Sequence, residues 1–311
     1  MGIREAKRFS VIVVGVLFML SSVGWMNRHF NAFSLKVFTK NGDLRHREKT
    51  LQILDNRDST KNFLPRDSAY WTILMTVNTG FLDFFFNWLL HFKKLGVKCS
   101  LIVMAHDENA FNVLRNNPTV YEHLSVVRSD NKPIKEATDF GSRDFIALNA
   151  ERPQFILNHL KEGRNTLYVD ADTVWVSSPF PHFTGEFDLW VQQDANMLCA
   201  GFMAIQSNYK TLRFIEHWRD EVIRVNATLN EQIVLNKIIR AYKSKKINLK
   251  RLDNKKFPDG NKYFDRYNET ERKAAVVVHN NYIVGYDKKL TRFRKHGLWL
   301  LDSQHYPNIT V

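Results

Sequence analysis

The alternation of short apolar runs with helical segments is the feature that most constrains the fold of this 311-residue chain. Runs typical of strands at residues 71–77, 99–105 and 124–127 are separated by helical segments at 81–95 and 108–115. A strand, a crossing helix and a second strand form a right-handed unit with parallel strands, whose sheet is covered by helices on both faces. The pattern therefore predicts an α/β, Rossmann-like fold with a mixed, mostly parallel sheet flanked by helices.

The same alternation continues through the second half of the chain. Four more runs typical of strands lie at residues 167–169, 188–194, 199–205 and 274–278, and apolar residues keep helical spacing over 209–224. No internal repeat and no low-complexity segment interrupts the pattern. One large α/β domain is therefore expected to occupy residues 67–311.

Two carboxylates, Asp170 and Asp172, directly follow the apolar run 167–169. Residues i and i+2 of a strand share a face, so both carboxylates leave the same side of the strand end. Adjacent like charges repel, and a cation between them relieves the repulsion. Carboxylate oxygens suit Mg²⁺ or Mn²⁺, which in turn suit a diphosphate. This D-x-D pattern predicts a metal–nucleotide site; the alternative is a solvated turn.

The excess of basic residues does not by itself indicate nucleic-acid binding. The formal net charge is +13, but Lys and Arg are spread along the chain and form no basic helix. The aromatic signature of RNA-binding domains is also missing from the sequence. We therefore expect an anionic small molecule or an anionic membrane surface as the partner, and no nucleic acid.

The N-terminal segment predicts a membrane anchor. Residues 9–26 carry no charge and follow a basic segment, residues 1–8, which would stay in the cytosol. The polar residues 27–66 then read as a stem, and residues 67–311 would lie in the lumen. A cleaved signal peptide is the alternative interpretation.

Three N-glycosylation sequons agree with a lumenal body, at Asn226, Asn268 and Asn308. The two cysteines, Cys99 and Cys199, are compatible either with a disulfide in an oxidising lumen or with two buried thiols.

A phosphatase of the haloacid dehalogenase type also carries D-x-D after an apolar strand, with the first Asp, here Asp170, as nucleophile. That class places its motif near the start of the domain and adds a later acidic pair for the metal. Here the motif lies about a hundred residues into the body and no such pair follows. The phosphatase is therefore the weaker alternative.

Four segments in order resemble the lumenal nucleotide-diphospho-sugar transferases of glycosyltransferase family 77. They are residues 152–157 leading into Leu-Tyr-Val-Asp-Ala-Asp-Thr-Val-Trp at 167–175; Cys-Ala-Gly-Phe-Met at 199–203 with Ser207 and Asn208; Glu231-Gln232; and His-Asn-Asn-Tyr-Ile-Val-Gly at 279–285 with Lys288. The resemblance implies a GT-A fold and a glycosyltransferase that retains anomeric configuration. The predicted anchor and stem lie outside the resemblance, and together with it they predict a Golgi-resident, type II membrane protein. It also implies a UDP-sugar donor, with xylose, arabinose or galactose as the sugar, and a glycan or glycoprotein acceptor. The alternative within the same fold is a non-catalytic sugar- or nucleotide-binding relative.

The resemblance also implies roles for individual residues around the donor diphosphate. Asp170, Asp172 and His279 would bind Mn²⁺ or Mg²⁺, because a neutral imidazole can complete a ligand set begun by two carboxylates. Gly285 would let the backbone approach the diphosphate, and Lys288 would supply positive charge to the leaving group.

The remaining candidates would contact the nucleotide or the sugars. Thr76, Asn78, Arg152 and Ala171 are assigned to the nucleotide sugar, Asp194 and Gln193 to the reacting sugar carbon, Ala200 and Gly201 to a wall beside the sugar ring, and Glu231 and Gln232 to substrate contacts. Glu231 stands where many relatives are expected to carry Asp, which changes the reach of the side chain but not its chemistry.

Overall fold

The computed structural model describes residues 68–117, 120–226, 228–241 and 247–301. The predicted cytosolic tail, anchor and stem, and Asn308, lie outside these residues. Within the described ranges, no helix combines the length and apolar character that crossing a bilayer requires.

The predicted strands and helices occur in the predicted order; strands at Thr173–Trp175 and Leu249–Arg251 and helices at Glu269–Lys273 and Tyr286–Lys295 were not predicted. The strands are β1 (Trp71–Val77), β2 (Ser100–Ala105), β3 (Leu124–Arg128), β4 (Asn165–Val169), β5 (Thr173–Trp175), β6 (Leu189–Asp194), β7 (Met197–Ile205), β8 (Leu249–Arg251) and β9 (Val277–His279). The α-helices are α1 (Leu82–Lys94), α2 (Glu108–Arg115), α3 (Arg143–Ala150), α4 (Arg152–Lys161), α5 (Tyr209–Arg224), α6 (Glu231–Ala241), α7 (Glu269–Lys273) and α8 (Tyr286–Lys295). Short 3₁₀ turns at Ser68–Tyr70, Thr79–Phe81 and Phe180–His182 and a π-helical segment at Asn261–Arg266 complete the regular structure of the described part.

Seven strands form the main sheet, in the order β3-β2-β1-β4-β7-β6-β8. The prediction of a mixed, mostly parallel sheet is confirmed: β1, β2, β3 and β4 pair in parallel, as do β6 and β8. Strand β7 runs antiparallel to both β4 and β6. Only residues 195 and 196 separate the paired Asp194 and Met197, and a connection this short joins strands in antiparallel order. Ala195 takes the left-handed backbone, with φ 50°, that such a hairpin requires.

Strands β5 and β9 form a separate two-stranded antiparallel sheet. Thr173 lies opposite His279, and Trp175 lies opposite Val277. The predicted strand at 274–278 therefore begins and ends later than expected, at Val277 and His279, and includes the histidine. Strand β5 was not predicted, because three residues carry too little periodicity to be recognised.

Helix α1 anchors β5 through an aromatic cluster in the core. The Trp175 ring lies 5.5 Å from the rings of both Trp88 and Phe92, and those two stack on each other at 5.1 Å. All three side chains are buried. This packing fixes the segment that immediately follows the two predicted metal-binding carboxylates.

The two cysteines are buried and unpaired. The Cys99 thiol donates to the carbonyl of Trp71 at 2.8 Å, and burial raises its pKa to about 12. The Cys199 sulfur lies 3.5 Å from Nδ1 of His279. Of the two alternatives left open by the sequence, the structure has the pair of thiols.

The long polar loop 129–141 is tied to the end of β1. The Asn78 amide donates to the carbonyls of Ile134 and Glu136 at 3.1 and 2.7 Å, and the Gly80 amide donates to that of Lys135 at 2.8 Å. A Cβ at Gly80 would lie 2.7 Å from Cα of Ala137, so this close approach requires glycine.

Candidate active site

The two D-x-D carboxylates and the downstream histidine meet where β4 ends. Asp170 and Asp172 lie on the turn from β4 into β5, and the pairing of β5 with β9 brings His279 beside them. The backbone amide of Asn280 donates to the Asp172 carbonyl at 2.9 Å, which extends this pairing past the histidine. The strand pairing therefore fixes the relative position of all three side chains.

The three side chains can bind one divalent cation together. One ligand atom from each of Asp170, Asp172 and His279 lies within 4.8 Å of the others. His279 Nε2 is 3.3 Å from Asp172 Oδ1 and 3.8 Å from Asp170 Oδ2. Two carboxylate oxygens and one imidazole nitrogen form a donor set that fits Mn²⁺ or Mg²⁺.

A second layer orients the His279 ring. Its Nδ1 lies 3.0 Å from Oε1 of Gln192, whose amide nitrogen donates to the carbonyl of Pro258 at 2.9 Å. This contact turns Nε2 toward the carboxylates, as outer partners of metal-binding histidines do. Sequence reasoning missed Gln192, because a buried amide in a strand carries no motif of its own.

Gly201 lies against the cluster and does not form a wall beside a sugar. A Cβ at position 201 would lie 2.7 Å from Cγ of Asp170 and 2.8 Å from Cε1 of His279, and would contact Asp170 Oδ2 as well. Only glycine leaves these two side chains in place. Ala200, its neighbour, is buried and donates its amide to Oε1 of Gln232 at 2.8 Å.

Arg152 is buried and connects Asp170 to Glu231 at the start of α6. Its guanidinium contacts Oδ1 of Asp170 at 2.8 Å, Oε1 of Glu231 at 2.6 Å and Oδ1 of Asn149 at 2.5 Å, and it lies over the Tyr168 ring. Burial disfavours the charged guanidinium, but the Asp170 carboxylate holds the pKa of Arg152 above its ordinary value. Asp170 therefore belongs both to the candidate cation cluster and to the contacts of this arginine.

Glu231 lines the same cavity and has one buried, unpaired carboxylate oxygen. Its Oε1 is bonded to Arg152, whereas the buried Oε2 has no hydrogen-bond partner. Burial raises the pKa of Glu231 to about 7, against the opposing charge of Arg152. This oxygen can accept a hydroxyl hydrogen from a bound ligand.

Asp194 and Gln232 form a bonded pair on the cavity wall. The Gln232 amide donates to Oδ2 of Asp194 at 2.8 Å. The neighbouring Gln193, also a candidate for the sugar carbon, donates instead to the carbonyl of Leu252 at 2.9 Å and does not line the cavity. Of the two candidates, the structure brings Asp194 to the site.

The lysine at the site is Lys289, and not the predicted Lys288. The Lys289 ammonium donates to Oδ2 of Asp172 at 2.5 Å and to the carbonyl of Asn280 at 2.8 Å, whereas Lys288 is exposed and lies outside the cavity lining. Successive residues of a helix point about 100° apart, so a shift of one position changes which face a side chain occupies. Burial raises the pKa of Asp172, whereas the charges of Lys289 and His279 lower it. The lowering is the larger effect, so the pKa of Asp172 lies below its ordinary value.

One cavity of about 560 Å³ collects most of the predicted residues. Those that line it are Thr76, Asn78, Arg152, Asp170, Ala171, Asp172, Asp194, Glu231, Gln232, His279 and Gly285. Gln193, Ala200, Gly201 and Lys288 do not line it. Asn78 and Thr76 are partly engaged in holding the fold, because the Thr76 hydroxyl is 2.9 Å from that of Tyr168.

Comparison with known proteins assigns the chain to a family. Residues 98–293 match the nucleotide-diphospho-sugar transferases, and the chain belongs to that family. This range contains the D-x-D turn, β9 and most of α8, and thus every residue of the cation cluster.

Two curated relatives are similar in sequence to this chain, and one solved structure shares its fold. The chain is 29% identical to the UDP-galactose:fucoside alpha-3-galactosyltransferase of Dictyostelium discoideum, over 74% of this chain and 43% of that protein. It is 28% identical to UDP-D-xylose:L-fucose alpha-1,3-D-xylosyltransferase 1 of Arabidopsis thaliana, over 74% of this chain and 71% of that protein. The chain thus spans less than half of the first relative. An active-site variant of LgtC shares the fold with a TM-score of 0.50 at 12% identity, over 76% of this chain and 98% of that one.

Replacing Gly201 by alanine should weaken divalent cation binding. The added Cβ displaces Asp170 and His279, so we expect Mn²⁺ affinity to fall about 10- to 100-fold, with a loss of roughly 1–3 kcal/mol in unfolding free energy from overpacking. Titration of Mn²⁺, followed by the electron spin resonance of the free ion, measures the first effect.

Gly297→Ala is the matched control. Gly297 has φ 67° and open space around its Cβ position, so alanine costs about 1 kcal/mol through backbone strain without touching the cluster. Unchanged Mn²⁺ affinity in Gly201→Ala would contradict the placement of Gly201 against the cation ligands.

Proposed function

We propose that this protein is a metal-dependent, retaining glycosyltransferase that moves a sugar from a UDP-sugar to a hydroxyl of a glycan or glycoprotein. The observation that carries the proposal is the meeting of Asp170, Asp172 and His279 in a cavity that also contains Lys289. Family membership supports a nucleotide-sugar donor. The named relatives use UDP-galactose or UDP-xylose and act on fucose, so these donors and an L-fucose-bearing acceptor are the first to test.

The cation cluster and Lys289 serve the leaving group. Asp170, Asp172 and His279 would hold Mn²⁺ or Mg²⁺, which when bound stabilises the negative charge that develops on the departing UDP. Lys289 adds a second positive charge on the same side of the cavity, where its ammonium is held by Asp172 and Asn280. Arg152 holds Asp170 in place by donating to its Oδ1.

Other side chains serve the sugar and the acceptor. The Asp194 carboxylate, fixed by Gln232, stabilises the positive charge that grows on the sugar carbon as the bond to UDP breaks. The acceptor oxygen forms the new bond on the face from which UDP leaves, and its proton passes to the departing phosphate oxygen, which gives retention. The unpaired Oε2 of Glu231 accepts a sugar hydroxyl.

The phosphatase and the non-catalytic relative predict different observations. A phosphatase would use Asp170 as nucleophile, but this carboxylate is engaged by Arg152 and the chain belongs to a family of sugar transferases. A non-catalytic relative would bind UDP with Mn²⁺ without turnover, which calorimetry and product analysis distinguish.

Removing a cation ligand should abolish turnover. We expect Asp172→Asn to lower Mn²⁺-dependent UDP release from UDP-xylose or UDP-galactose roughly 100-fold or more, because the diphosphate loses its counter-charge. Chelation of the metal in the unmodified protein should have the same effect. Asp220→Asn, a substitution on the exposed face of α5, is the control. Equal UDP release by Asp172→Asn would show that the assignment of the cation site is wrong.

The two adjacent lysines provide a second, internally matched test. We expect Lys289→Ala to lower kcat about 10- to 1,000-fold, because one preorganised positive charge at the leaving group is lost. Lys288→Ala should leave kcat within twofold, since that side chain is exposed outside the cavity. Steady-state kinetics of both variants decide the point; a larger effect at Lys288 would reverse the assignment.

We further propose the localisation given by the sequence: a Golgi protein anchored by residues 9–26 with its body in the lumen. In support, both sequon asparagines in the described part of the chain, Asn226 and Asn268, are exposed. Asn268 also caps α7 by accepting from the Glu271 amide at 3.0 Å.

Glycosylation in cells tests this orientation. We expect peptide N-glycosidase to increase gel mobility, with one step lost in Thr228→Ala and another in Thr270→Ala, because each substitution destroys a sequon. Thr270→Ala leaves Asn268 and its helix cap intact, so a lost step reports glycosylation and not misfolding. A protein whose mobility the enzyme does not change would contradict a lumenal body.

A further inference from the structure

Three exposed apolar side chains lie at the edge of the candidate active site. The described residues include nine large hydrophobic side chains that are exposed, and three of them, Phe140, Tyr282 and Val284, line the cavity that also contains Asp170, Asp172 and His279. Their exposed fractions are 61%, 50% and 45%. The donor's charged diphosphate has its partners at the cation cluster and Lys289, so this apolar edge has no role in binding it.

The three side chains come from two loops that approach each other. A Cβ at Gly285 would lie 4.0 Å from Oδ1 of Asp139, so the residues next to these two, Val284 and Phe140, belong to neighbouring stretches of chain. Phe140 also contacts the Phe145 ring at 5.1 Å. We call Phe140, Tyr282 and Val284 the apolar rim.

Both loops are held by hydrogen bonds, so the apolar rim is a fixed surface. Loop 129–141 is bonded to Asn78 and Gly80, as described above. In the other loop, the Asn280 amide side chain donates to the Lys289 carbonyl at 3.0 Å, and the Gly260 amide donates to the Asn281 side chain at 2.6 Å. Arg292 bonds to both asparagines.

Surrounding contacts hold the backbone of Tyr282 in an unfavourable conformation. Its φ of 60° is in the left-handed region, which a tyrosine adopts only when surrounding contacts require it, and such residues cluster at functional sites. Burial and the Asp194 carboxylate, to which the phenol hydrogen-bonds, raise the pKa of Tyr282. The phenol is thus held beside the side chain that faces the reacting sugar, while the ring remains half exposed.

From this arrangement we infer that the apolar rim is the acceptor subsite, and that Tyr282 and Val284 select a 6-deoxyhexose by packing on its methyl group. The inference rests on the proposed function and extends it to the second substrate. A bound acceptor must lie beside Asp194, where the sugar is transferred, and Tyr282 bridges that carboxylate to the rim.

The chemistry of the rim favours a methyl over a hydroxymethyl group. The Phe140 ring and Val284 offer contact area but no hydrogen-bond partner, and the Tyr282 hydroxyl is already bonded to Asp194, so a 6-hydroxyl placed there would lose its water without replacement. Differences of this size in an apolar pocket discriminate by about 10- to 200-fold. The fucose acceptors named for the two relatives are 6-deoxyhexoses, in agreement.

A pair of acceptors that differ only at C6 tests the inference. Methyl α-L-fucoside and methyl α-L-galactoside are compared with the full chain, Mn²⁺ and UDP-xylose or UDP-galactose. We expect kcat/KM for the fucoside to exceed that for the galactoside at least tenfold in the unmodified protein, and the ratio to fall several-fold in Val284→Thr and in Tyr282→Asn. Asparagine tolerates the left-handed backbone at position 282, so the variant removes the ring without new strain.

Val176→Thr is the matched control. Val176 is also 45% exposed but does not line the cavity, so its substitution should leave the ratio unchanged. An unchanged ratio in both rim variants, or no preference for the fucoside in the unmodified protein, overturns the inference. A rise in the KM for the donor with an unchanged KM for the acceptor also overturns it, because the rim would then bind the nucleotide base.

A binding measurement separates this inference from the proposed function. In saturation-transfer NMR with UDP and Mn²⁺ present, we expect the C6 methyl protons of methyl α-L-fucoside to receive the strongest saturation, and to lose it in Val284→Thr. That result supports the apolar rim as the acceptor subsite even if the protein shows no turnover. In that case only the transferase proposal fails. Turnover with uniform saturation of the fucoside would leave the transferase standing and overturn the rim.

Discussion

The pairing of β5 with β9 is the interaction on which the candidate site depends. Neither strand has more than three residues, yet their register sets His279 opposite Thr173 and thereby beside Asp170 and Asp172. The aromatic packing of Trp175 against α1 holds β5, and Gln192 holds the imidazole from behind. A small sheet outside the main one thus brings two separate segments together in one candidate cation site.

The second determinant of the site is a buried network of charge. Arg152 contacts Asp170 and Glu231 at the same time, so the D-x-D turn, α4 and α6 are joined by a single side chain. Breaking a buried pair on one side leaves a charge without compensation, which typically costs about 3–5 kcal/mol. The network therefore ties the position of Asp170 to that of Glu231, and explains why Arg152 is buried although the sequence suggested a direct ligand contact.

The sequence predicts those parts of the fold and site that short-range patterns encode. The order of strands and helices, the D-x-D turn and the meeting of Asp170, Asp172 and His279 agree with the structure, because apolar periodicity and strand-end carboxylates are local signals. What was missed depends on tertiary geometry. The antiparallel course of β7 follows from a two-residue turn that contains no glycine. The helical rotation between successive residues places Lys289, and not Lys288, beside Asp172. Gly201 matters because it has no side chain, which leaves space for Asp170 and His279.

The dependence of His279 on β9 also sets an order in which the site can be assembled during synthesis. The chain leaves the ribosome from its N-terminus, so both carboxylates and β5 are made well before β9, their partner strand. Until residues 277–279 have emerged, Asp170 and Asp172 lack the imidazole of His279, and β5 has an open edge. Nascent or truncated chains that end before residue 277 therefore contain all seven strands of the main sheet but only two of the three candidate cation ligands.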